Sequence, residues 1–358
     1  MSTITRKAAF AGLASLGAIA LLAGCASAPA ANTASAGASN FIPCMVSDAG
    51  GFDDKSFNQS GFEGLKAAAA KLGVTPITTQ SAAETDFAPN IQSLVDQGCN
   101  LITTVGFLLA DATKASALAN PTINFAIIDD SSIVAPNVKP IVFDTAQAAF
   151  LAGYVAASYS TTGVVGTFGG MQIPPVTIFM DGFVDGVAYY NAQKSASVKV
   201  VGWDVAAQTG SFTGGFAAGV EAKTAAQGLI DQNADVIFPV GGPIFLSAAE
   251  AIKDSAKPIV MIGVDADAFL TAPDISSLFL TSVLKQVGVG VSDVTNAAAA
   301  GTFDNTPFVG TLANDGVGLA PFHDFSAKVK SGLQAELDVI KAGIIAGTIP
   351  VVSPSSPK

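Results

Sequence analysis

One stretch decides the fold: Val46-Ser-Asp-Ala-Gly-Gly-Phe-Asp-Asp-Lys-Ser-Phe-Asn-Gln-Ser-Gly-Phe-Glu-Gly64. A strand-like run over 40–46 precedes its polar part, and a helix-like run over 57–72 follows and stops at Gly73. The polar residues between these runs are therefore predicted to form the loop at the carboxyl end of a first parallel strand. Open α/β sheets bind their ligands at this position. The first loop of the chain is consequently also its first candidate binding site.

This loop has side chains suited to binding rather than to a simple connection. Gly50 and Gly51 permit a sharp turn, and Ser56 is in position to cap the following helix. The loop also offers carboxylates, an amide and an aromatic ring. Four of its residues are predicted to contact a ligand: Asp48, Asp54, Phe57 and Asn58. The alternative, a polar connection without a ligand, leaves the neighbouring carboxylates unexplained.

Apolar strands and amphipathic helices alternate along the rest of the chain. A first series of strands is predicted near 41–47, 74–78, 100–105 and 123–128. A second series is predicted near 163–168, 198–203, 235–240 and 258–264. We therefore predict an α/β protein of the type I periplasmic-binding-protein fold, in which two doubly wound parallel-sheet lobes are joined by hinge strands. A single large Rossmann sheet is the runner-up.

The expected lobe boundaries follow from the point where the two series meet. The first lobe is expected to comprise 40–144 plus about 278–305, because the strand over 278–284 and the helix after it are expected to return to this lobe. The second lobe is expected to comprise 145–277 plus about 306–350. Two α/β blocks of about 100 residues each have the usual size of domains.

Polar and aromatic residues gather at the predicted carboxyl ends of strands in both series. Beyond the first loop, the predicted ligand contacts are Asp129, Phe212, Gly241, Asp265 and Lys285. In two lobes that face each other, these strand ends line one shared cleft. A single Asp at a strand end is often only a helix cap, but a set of such positions indicates a binding cleft.

The residue types restrict the ligand of this cleft. Carboxylates outnumber the one lysine, so phosphates would be repelled, whereas ligands rich in O–H and N–H donors would be bound. Phe57 and Phe212 are predicted to sandwich a flat ring. A polyol joined to an aromatic heterocycle, which describes a nucleoside, meets both demands. A free sugar meets the first demand and part of the second.

The amino terminus has the pattern of an export signal. Arg6 and Lys7 precede an apolar run that ends in Leu22-Ala-Gly-Cys25, which is typical of a signal peptide over 1–24. The ending resembles the bacterial lipobox, whose cysteine is acylated, so Cys25 is the predicted lipidation site. Residues 25–39 have the composition of a flexible tether. An uncleaved membrane anchor is the alternative, although the run is short for a span.

Composition excludes several classes of function. The formal net charge is −11, and loss of Arg6 and Lys7 with the signal peptide would make it −13, so nucleic acid is a poor partner. The chain has one histidine and no Cys/His cluster, so we expect no metal site and no cofactor. For Cys44 and Cys99 two states stay open: a disulfide, which export permits, and two buried free thiols.

Several motifs resemble one known family. The motif Asp-x-Gly-Gly-Phe-Asp-Asp-Lys-Ser-Phe-Asn over 48–58 is similar to the opening signature of the basic membrane protein (BMP) family. Further similar segments are 105–111, 125–129, 150–154, 166–175, 179–183, 262–265 and 281–285. This family contains nucleoside-binding lipoproteins that feed ABC importers, related to purine nucleoside receptor A and TmpC. The resemblance extends from about residue 41 to about residue 350.

The resemblance implies a lipid-anchored, extracytoplasmic protein that captures purine nucleosides and delivers them to an ABC permease without catalysis. It implies that Phe57 and Phe212 stack on the two faces of the base and that the Asp129 carboxylate recognises the edge of the base by hydrogen bonding. The residues implied to contact the ribose hydroxyls, or to support those contacts, are Asp48, Gly241, Asp265 and Lys285. The chain departs from its relatives directly after Phe212, where Thr-Gly-Gly replaces acidic residues and a proline. A monomer is expected.

Other functions stay open at this point. Among binding proteins, a ribose-type sugar-binding protein is the closer alternative. A signalling receptor would bind its ligand in the same way. Nucleoside cleavage by paired carboxylates is conceivable, but nucleotide hydrolysis is disfavoured because Asp54 replaces the glycine that precedes Lys-Ser in a phosphate-binding loop. The single histidine, His323, is not among the residues at the predicted carboxyl ends of strands, which disfavours a nucleophilic triad.

Overall fold

The structure is a computed structural model that describes residues 40–357. The predicted signal peptide over 1–24, the lipidation site Cys25 and the tether up to residue 39 lie outside the described residues. None of the helices within the described range has the length and apolar character needed to cross a membrane.

The described chain alternates strands and helices, as the periodicity predicts. The first part comprises β1 (Pro43–Ala49), α1 (Phe57–Leu72), β2 (Ile77–Ser81), α2 (Phe87–Asp96), β3 (Leu101–Val105), α3 (Ala110–Ala119), β4 (Asn124–Ile128) and β5 (Val138–Phe143). The middle part comprises α4 (Thr145–Tyr159), β6 (Val164–Gly169), α5 (Pro174–Lys194), β7 (Lys199–Val201), β8 (Trp203–Asp204), β9 (Thr209–Gly210), α6 (Val220–Asp231), β10 (Val236–Val240), α7 (Ile244–Ser255), β11 (Val260–Asp265), α8 (Ala268–Thr271) and β12 (Phe279–Lys285). The last part comprises α9 (Val287–Ala299), β13 (Phe308–Gly310), β14 (Val317–Leu319) and α10 (Leu333–Ile345).

Over residues 40–357 these strands form two six-stranded sheets and the short ribbon β8-β9. The first sheet has the order β13-β5-β4-β3-β1-β2 and is parallel throughout. The second has the order β14-β12-β11-β10-β6-β7 and is parallel except for β14. Each sheet therefore reverses its strand order beside its own first strand, β1 or β6. Two doubly wound sheets are what the sequence predicts, and the single large sheet is wrong.

Strands β10 and β11 are buried along their whole length, as parallel strands covered on both faces are.

Glycine and alanine allow the helices of the second lobe to pack closely. Helices α4 and α5 cross with almost no space between their backbones. A Cβ added at Gly153 would stand 2.0 Å from the carbonyl oxygen of Phe183, and one at Gly186 would stand 1.9 Å from that of Phe150. Any side chain at these two positions would push the helices apart.

A disulfide joins two elements of the first lobe. Cys44 in β1 is bonded to Cys99, just before β3, with Cα atoms 6.0 Å apart. Strands β1 and β3 are direct neighbours, which brings the two cysteines together. The disulfide is therefore the correct alternative of the two that the sequence leaves open. It links residues 55 positions apart and so restricts the unfolded chain.

The described chain passes between the two lobes three times. The connecting segments lie at Asp144, between β5 and α4; at Gln286, between β12 and α9; and over 311–316, between β13 and β14. Backbone hydrogen bonds hold these segments side by side. The Asp144 N–H donates to the carbonyl oxygen of Gly310 at 2.8 Å, and the Gln286 N–H donates to that of Gly316 at 2.9 Å.

Two of the predicted lobe assignments are wrong. Strand β12, expected in the first lobe, pairs with β11 in the second sheet, so the chain returns only at Gln286, and α9 then packs against α1. Strand β13, expected in the second lobe, pairs with β5 in the first sheet. Hydrophobic periodicity identifies a strand but not the neighbour that it pairs with, and both errors concern that choice.

Candidate functional site

A cavity of about 570 Å³ lies between the carboxyl ends of the two sheets. The first lobe contributes the end of β1, the loop after it, and residues that follow β3 and β4. The second lobe contributes the start of α5, the end of β10 with the residues after it, and the ends of β11 and β12. Ligands of open α/β sheets bind outside the strand ends where the strand order reverses. Part of this volume is open to solvent.

The cavity brings together the predicted contacts from both lobes, with one exception. The predicted residues that line it are Asp48, Asp54, Phe57, Asn58, Asp129, Gly241, Asp265 and Lys285. The four carboxylates, the amide and the lysine are almost completely buried. Phe212 is the exception, because it does not belong to the lining.

Asp54 caps helix α1 and shapes the first loop. Its Oδ1 accepts hydrogen bonds from the backbone N–H groups of Ser56 and Gln59, both at 3.0 Å. Its Oδ2 accepts one from the N–H of Asn58 at 2.8 Å. The expectation that Ser56 caps the helix is wrong, because its hydroxyl lies 2.8 Å from Asp265 in the other lobe instead. Both carboxylate oxygens of Asp54 are thus engaged by its own loop.

Asn58 links two carboxylates of this loop. Its Nδ2 donates to Oδ1 of Asp48 at 2.7 Å and lies 3.2 Å from Oδ2 of Asp54. Within residues 40–357 its buried Oδ1 has no hydrogen-bond partner. A buried acceptor left unpaired is destabilising. Because Asn58 lines the cavity, a donor on a bound ligand is the natural partner of this oxygen.

Lys285 is held between a carboxylate and aromatic rings. Its Nζ donates to Oδ2 of Asp129 at 2.5 Å and lies 4.8 Å from the ring centroid of Phe57. Asp129 follows β4 of the first sheet and Lys285 ends β12 of the second, so this ion pair joins the two lobes. Asp129 has a φ of +70°, a conformation that few non-glycine residues adopt, although aspartate adopts it more often than most.

Further polar contacts cross the cleft between the first loop and the second lobe. The Ser56 hydroxyl lies 2.8 Å from Oδ2 of Asp265 and 3.1 Å from the carbonyl oxygen of Val264. The Thr271 hydroxyl donates to the carbonyl oxygen of Lys55 at 2.7 Å. Asp265 ends β11 with a φ of +66°. The lobes are therefore in a closed arrangement around the cavity.

Burial raises the pKa of the cavity carboxyls. The pKa of Asp48 rises to about 7, mainly because burial disfavours its charged form, against the hydrogen bond from Asn58. Burial likewise raises the pKa of Asp265 to about 6, against the attraction of Lys285. It also raises the pKa of Asp129, again opposed by Lys285. Burial thus destabilises the charged form of these carboxyls, and hydrogen bonds from donors on a bound ligand would compensate for that cost.

We expect the unliganded protein to become less stable as the pH rises from about 4 to about 8. An Asp whose pKa is higher in the folded than in the unfolded state holds its proton better when folded. This stabilisation is fully present below the unfolded pKa of about 4 and is lost progressively as the pH rises from there to the folded pKa. The folded pKa values of about 7 for Asp48 and about 6 for Asp265 therefore place the loss between about pH 4 and about pH 7, with little further change above that.

Thermal unfolding of the wild type and of Asp48→Asn across this pH range tests the expectation. The asparagine variant should lose less stability with rising pH, and at pH about 8 its Tm should be a few degrees higher. Asp53→Asn in the same loop is the matched control, because the side chain of Asp53 is 86% exposed. Equal pH dependence in the wild type and Asp48→Asn would contradict the role given to burial.

Phe212 packs outside the cavity lining, and Phe216 lies in it. The ring of Phe212 meets that of Trp203 edge-on at a centroid distance of 5.7 Å, and a Cβ added at Gly169 would stand 2.7 Å from its Cε1. Its backbone forms an isolated bridge with Gly169 at the end of β6. Phe216 lines the cavity instead, beside Gly241. Of these two rings, Phe216 lies in the cavity lining, and Phe212, the predicted contact, does not.

Other apolar residues of the lining were not among the predicted ligand contacts. They include Phe107, Leu108, Ile173, Pro175, Val176, Phe179 and Phe216. Phe107 follows β3 almost directly, so the strand-end rule that identified the carboxylates applies to it as well. Phe179 lies in the first turns of α5, the helix that follows β6. The position of each phenylalanine soon after a strand was therefore a signal, available from the sequence, that it faces the cleft.

His323 lies outside the cavity lining. Its Nε2 is 2.7 Å from Oδ2 of Asp267, and its ring stacks on that of Phe269 with centroids 4.0 Å apart. The chain has no second histidine, so no histidine activates a nucleophile in this cavity. Across residues 40–357, no group of three or more His, Cys, Asp or Glu residues is arranged to hold a metal ion.

Comparison with known protein families and sequences identifies clear relatives. The profile of the family described as “ABC transporter substrate-binding protein PnrA-like” matches residues 41–351. The chain is 30% identical over 347 residues to the ABC transporter nucleoside-binding protein BmpA of Lactococcus lactis, covering 92% of this chain and 95% of the relative. It is 30% identical over 303 residues to basic membrane protein A of Borreliella burgdorferi, covering 83% of each chain.

Solved structures agree in fold. An ABC transporter solute-binding protein from Aeropyrum pernix superposes with a TM-score of 0.77 at 25% identity, over 88% of this chain and 94% of that one. The glucose-galactose binding protein GanP of Geobacillus stearothermophilus superposes with a TM-score of 0.55 at 16% identity, over 80% and 99%, and shares the fold alone. The predicted fold class is confirmed. The chain belongs to the PnrA-like family of ABC transporter substrate-binding proteins, which includes the basic membrane proteins.

Proposed function

We propose that this protein captures purine nucleosides in the cleft between its lobes and delivers them to the permease of an ABC importer. The observation that carries the proposal is the interlobe cavity lined by four buried carboxylates, one lysine and several phenylalanine rings. The Lactococcus lactis relative is named as a nucleoside-binding protein, which supports the same ligand class for this chain.

The ribose end of the ligand is assigned to the carboxylates near the first loop. Ionised carboxylates only accept hydrogen bonds, and bonds from hydroxyls to them are stronger than bonds between neutral groups. Asp48 and Asp265 are proposed to accept from ribose hydroxyls, and the unpaired Oδ1 of Asn58 provides one more acceptor. Gly241 and Lys285 line the same cavity and are proposed to contact or support this end. Asp54 acts by holding the loop.

The base end is assigned to the aromatic residues and Asp129. Phe57 comes from the first lobe and Phe216 from the second, and both line the cavity. Two rings from opposite lobes are suited to cover the two faces of a planar base. Lys285 engages one oxygen of Asp129, and the other is proposed to accept an N–H from the base edge.

Capture is proposed to occur by closure of the lobes. The ligand binds one lobe, and rotation about the three connecting segments brings the other lobe over it. The Asp129–Lys285 and Ser56–Asp265 contacts then form across the cleft, and water is excluded from the bonds to the ribose. The closed form is what the permease would recognise. No covalent step is involved.

The protein is further proposed to work as a monomer on the extracytoplasmic face of the cell membrane. This rests on the export signal over 1–24 and on Cys25 as the acylated residue. Substrate-binding proteins of ABC importers act outside the cytoplasm, and a lipid anchor keeps them near the permease. Mass spectrometry of the amino-terminal peptide from membranes tests the acylation of Cys25, and an unmodified cysteine there would contradict it.

Isothermal titration calorimetry tests the ligand class. At least one of inosine, guanosine and adenosine should bind with a Kd in the micromolar range or below, and free ribose about 100-fold more weakly because it has no base to stack. Adenosine 5′-monophosphate should bind weakly because the carboxylates repel its phosphate. Tighter binding of ribose or galactose would indicate the sugar-binding alternative, and release of free base would indicate an enzyme. Loss of nucleoside uptake in cells lacking the protein would separate transport from signalling.

A further inference from the structure

A second cavity adjoins the proposed nucleoside cavity. It has a volume of about 860 Å³, part of which is open to solvent. The two cavities share four lining residues: Phe107, Asp129, Pro175 and Lys285. The Asp129–Lys285 ion pair therefore stands at the border between them, and a ligand group that passes this pair enters the second cavity.

The second cavity is rich in hydroxyl groups. Its serine and threonine residues are Ser131, Ser132, Thr145, Ser355 and Ser356. Thr145, at the start of α4, is 1% exposed, and over the described part of the chain its buried Oγ1 has no hydrogen-bond partner. A buried hydroxyl of this kind is expected to find a partner. Thr145 is one of the residues that line the cavity, and a group bound there is the partner that we assign to this hydroxyl.

The carboxyl-terminal segment over 352–357 forms a fixed wall of this cavity. The Ser353 hydroxyl donates to Asp181 of α5 at 2.6 Å, and those of Ser355 and Thr177 lie 2.9 Å apart. The Ser356 hydroxyl donates to Asp144, in the first connecting segment, at 3.0 Å. These bonds attach the segment to the second lobe and to the connection between the lobes, so the cavity is a built feature of the closed protein.

The charges of the lining restrict what this cavity accepts. Asp130 is 4% exposed, and its carboxylate accepts a hydrogen bond from the Ser132 hydroxyl at 2.9 Å. Lys285 is the lysine of the lining, and Asp129 already neutralises it. A phosphate or carboxylate group would therefore meet net negative charge. An uncharged group with a hydroxyl can both donate to and accept from the serine and threonine hydroxyls.

We propose that the second cavity is a subsite for an uncharged, hydroxyl-bearing substituent on the base of a bound purine nucleoside. This inference rests on the proposed function, in which the base edge lies at Asp129. Because Asp129 borders both cavities, a substituent on that edge extends past the ion pair toward Thr145. The protein would then accept base-modified purine nucleosides as well as the unmodified ones.

Calorimetry with adenosine, N6-ethyladenosine and N6-(2-hydroxyethyl)adenosine tests the subsite. If guanosine binds more tightly than adenosine, the same three ligands are used with the substituent on N2 of guanosine. The hydroxyethyl derivative should bind within about fivefold of the unsubstituted nucleoside, since its hydrogen bond offsets the ordering of the arm. Binding of this derivative more than about fivefold weaker than the parent would overturn the inference.

Thr145→Val provides the matched variant, because it removes the hydroxyl and keeps the β-branched shape. It should weaken binding of the hydroxyethyl derivative about fivefold and leave the parent nucleoside and the ethyl derivative unchanged, with an unaltered Tm. Equal effects on all three ligands, or no effect on any, would overturn the assignment of Thr145. If no purine nucleoside binds the wild type, the proposed function itself fails. If the parent binds and the hydroxyethyl derivative does not, only the subsite fails.

Discussion

Asp265→Asn should weaken purine nucleoside binding by about 100-fold or more. The carboxylate is buried at the end of β11 and lines the cavity. A hydrogen bond to a charged partner contributes about 1.5–3 kcal/mol, and two ribose hydroxyls on one carboxylate would contribute about twice that. The amide has one acceptor oxygen in place of two, and its NH₂ group presents donors where the ligand also presents donors. Calorimetry with the preferred nucleoside measures the loss.

The unliganded Asp265→Asn protein should be no less stable than the wild type near neutral pH. Burial raises the pKa of Asp265 to about 6, so the charged carboxylate is destabilising at higher pH, and the neutral amide removes that effect. Asparagine also tolerates the φ of +66° at this position, whereas alanine would add strain. The amide oxygen can still accept from the Ser56 hydroxyl. A stable protein without affinity would thus identify a binding residue.

Asp274→Asn is the matched control for this variant. Asp274 lies in the same lobe, is exposed, and does not line the cavity. Its replacement should leave both the Kd and the Tm unchanged. Near-normal nucleoside titration by Asp265→Asn would refute the assignment of the ribose end, and a large effect of Asp274→Asn would show that net charge rather than contact controls affinity.

The polar half of this site could be predicted from the sequence because backbone topology alone determines where it lies. Asp48, Asp129, Asp265 and Lys285 each lie at or directly after the carboxyl end of a parallel strand. Strand periodicity is visible in the sequence, and parallel strands of one sheet end at the same edge. No side-chain packing has to be known to infer that these residues face one cleft.

Two other features could not be predicted because they depend on contacts between distant segments. Ser56 and Asp54 are both good helix caps, and the choice between them is made by Asp265, 209 residues away from Ser56, which engages the serine hydroxyl. The pairing of β12 with β11 rather than with the first sheet depends on which sheet edge is free. Local sequence carries neither piece of information.

The placement of Phe212 outside the lining could not be predicted for a related reason. Phe212 and Phe216 lie in the segment between β9 and α6, which has little regular structure. In such a segment there is no period from which the direction of a side chain follows. The bridge between Phe212 and Gly169 fixes the direction of this segment, and with it which ring reaches the cavity.

Replacing the two cavity phenylalanines should therefore separate binding from packing. Phe57→Leu and Phe216→Leu should each weaken purine nucleoside binding by about 10- to 100-fold, because stacking of one base on an aromatic side chain contributes about 1–3 kcal/mol. Neither variant should change the weak binding of free ribose, since ribose has no base. Titration of both variants with the preferred nucleoside and with ribose measures these effects.

Phe212→Leu is the contrasting variant, because this ring packs against Trp203 rather than into the cavity. It should lower the Tm by a few degrees, since its edge-on contact with the buried Trp203 ring is lost, and change the Kd for the nucleoside by no more than about threefold. The opposite order, with Phe212→Leu weakening binding more than Phe216→Leu at an unchanged Tm, would mean that the segment between β9 and α6 rearranges when the ligand enters. Phe212, the ring that the family resemblance implies, would then cover the base. The closed lobes would have to open at Gly169 to admit the base.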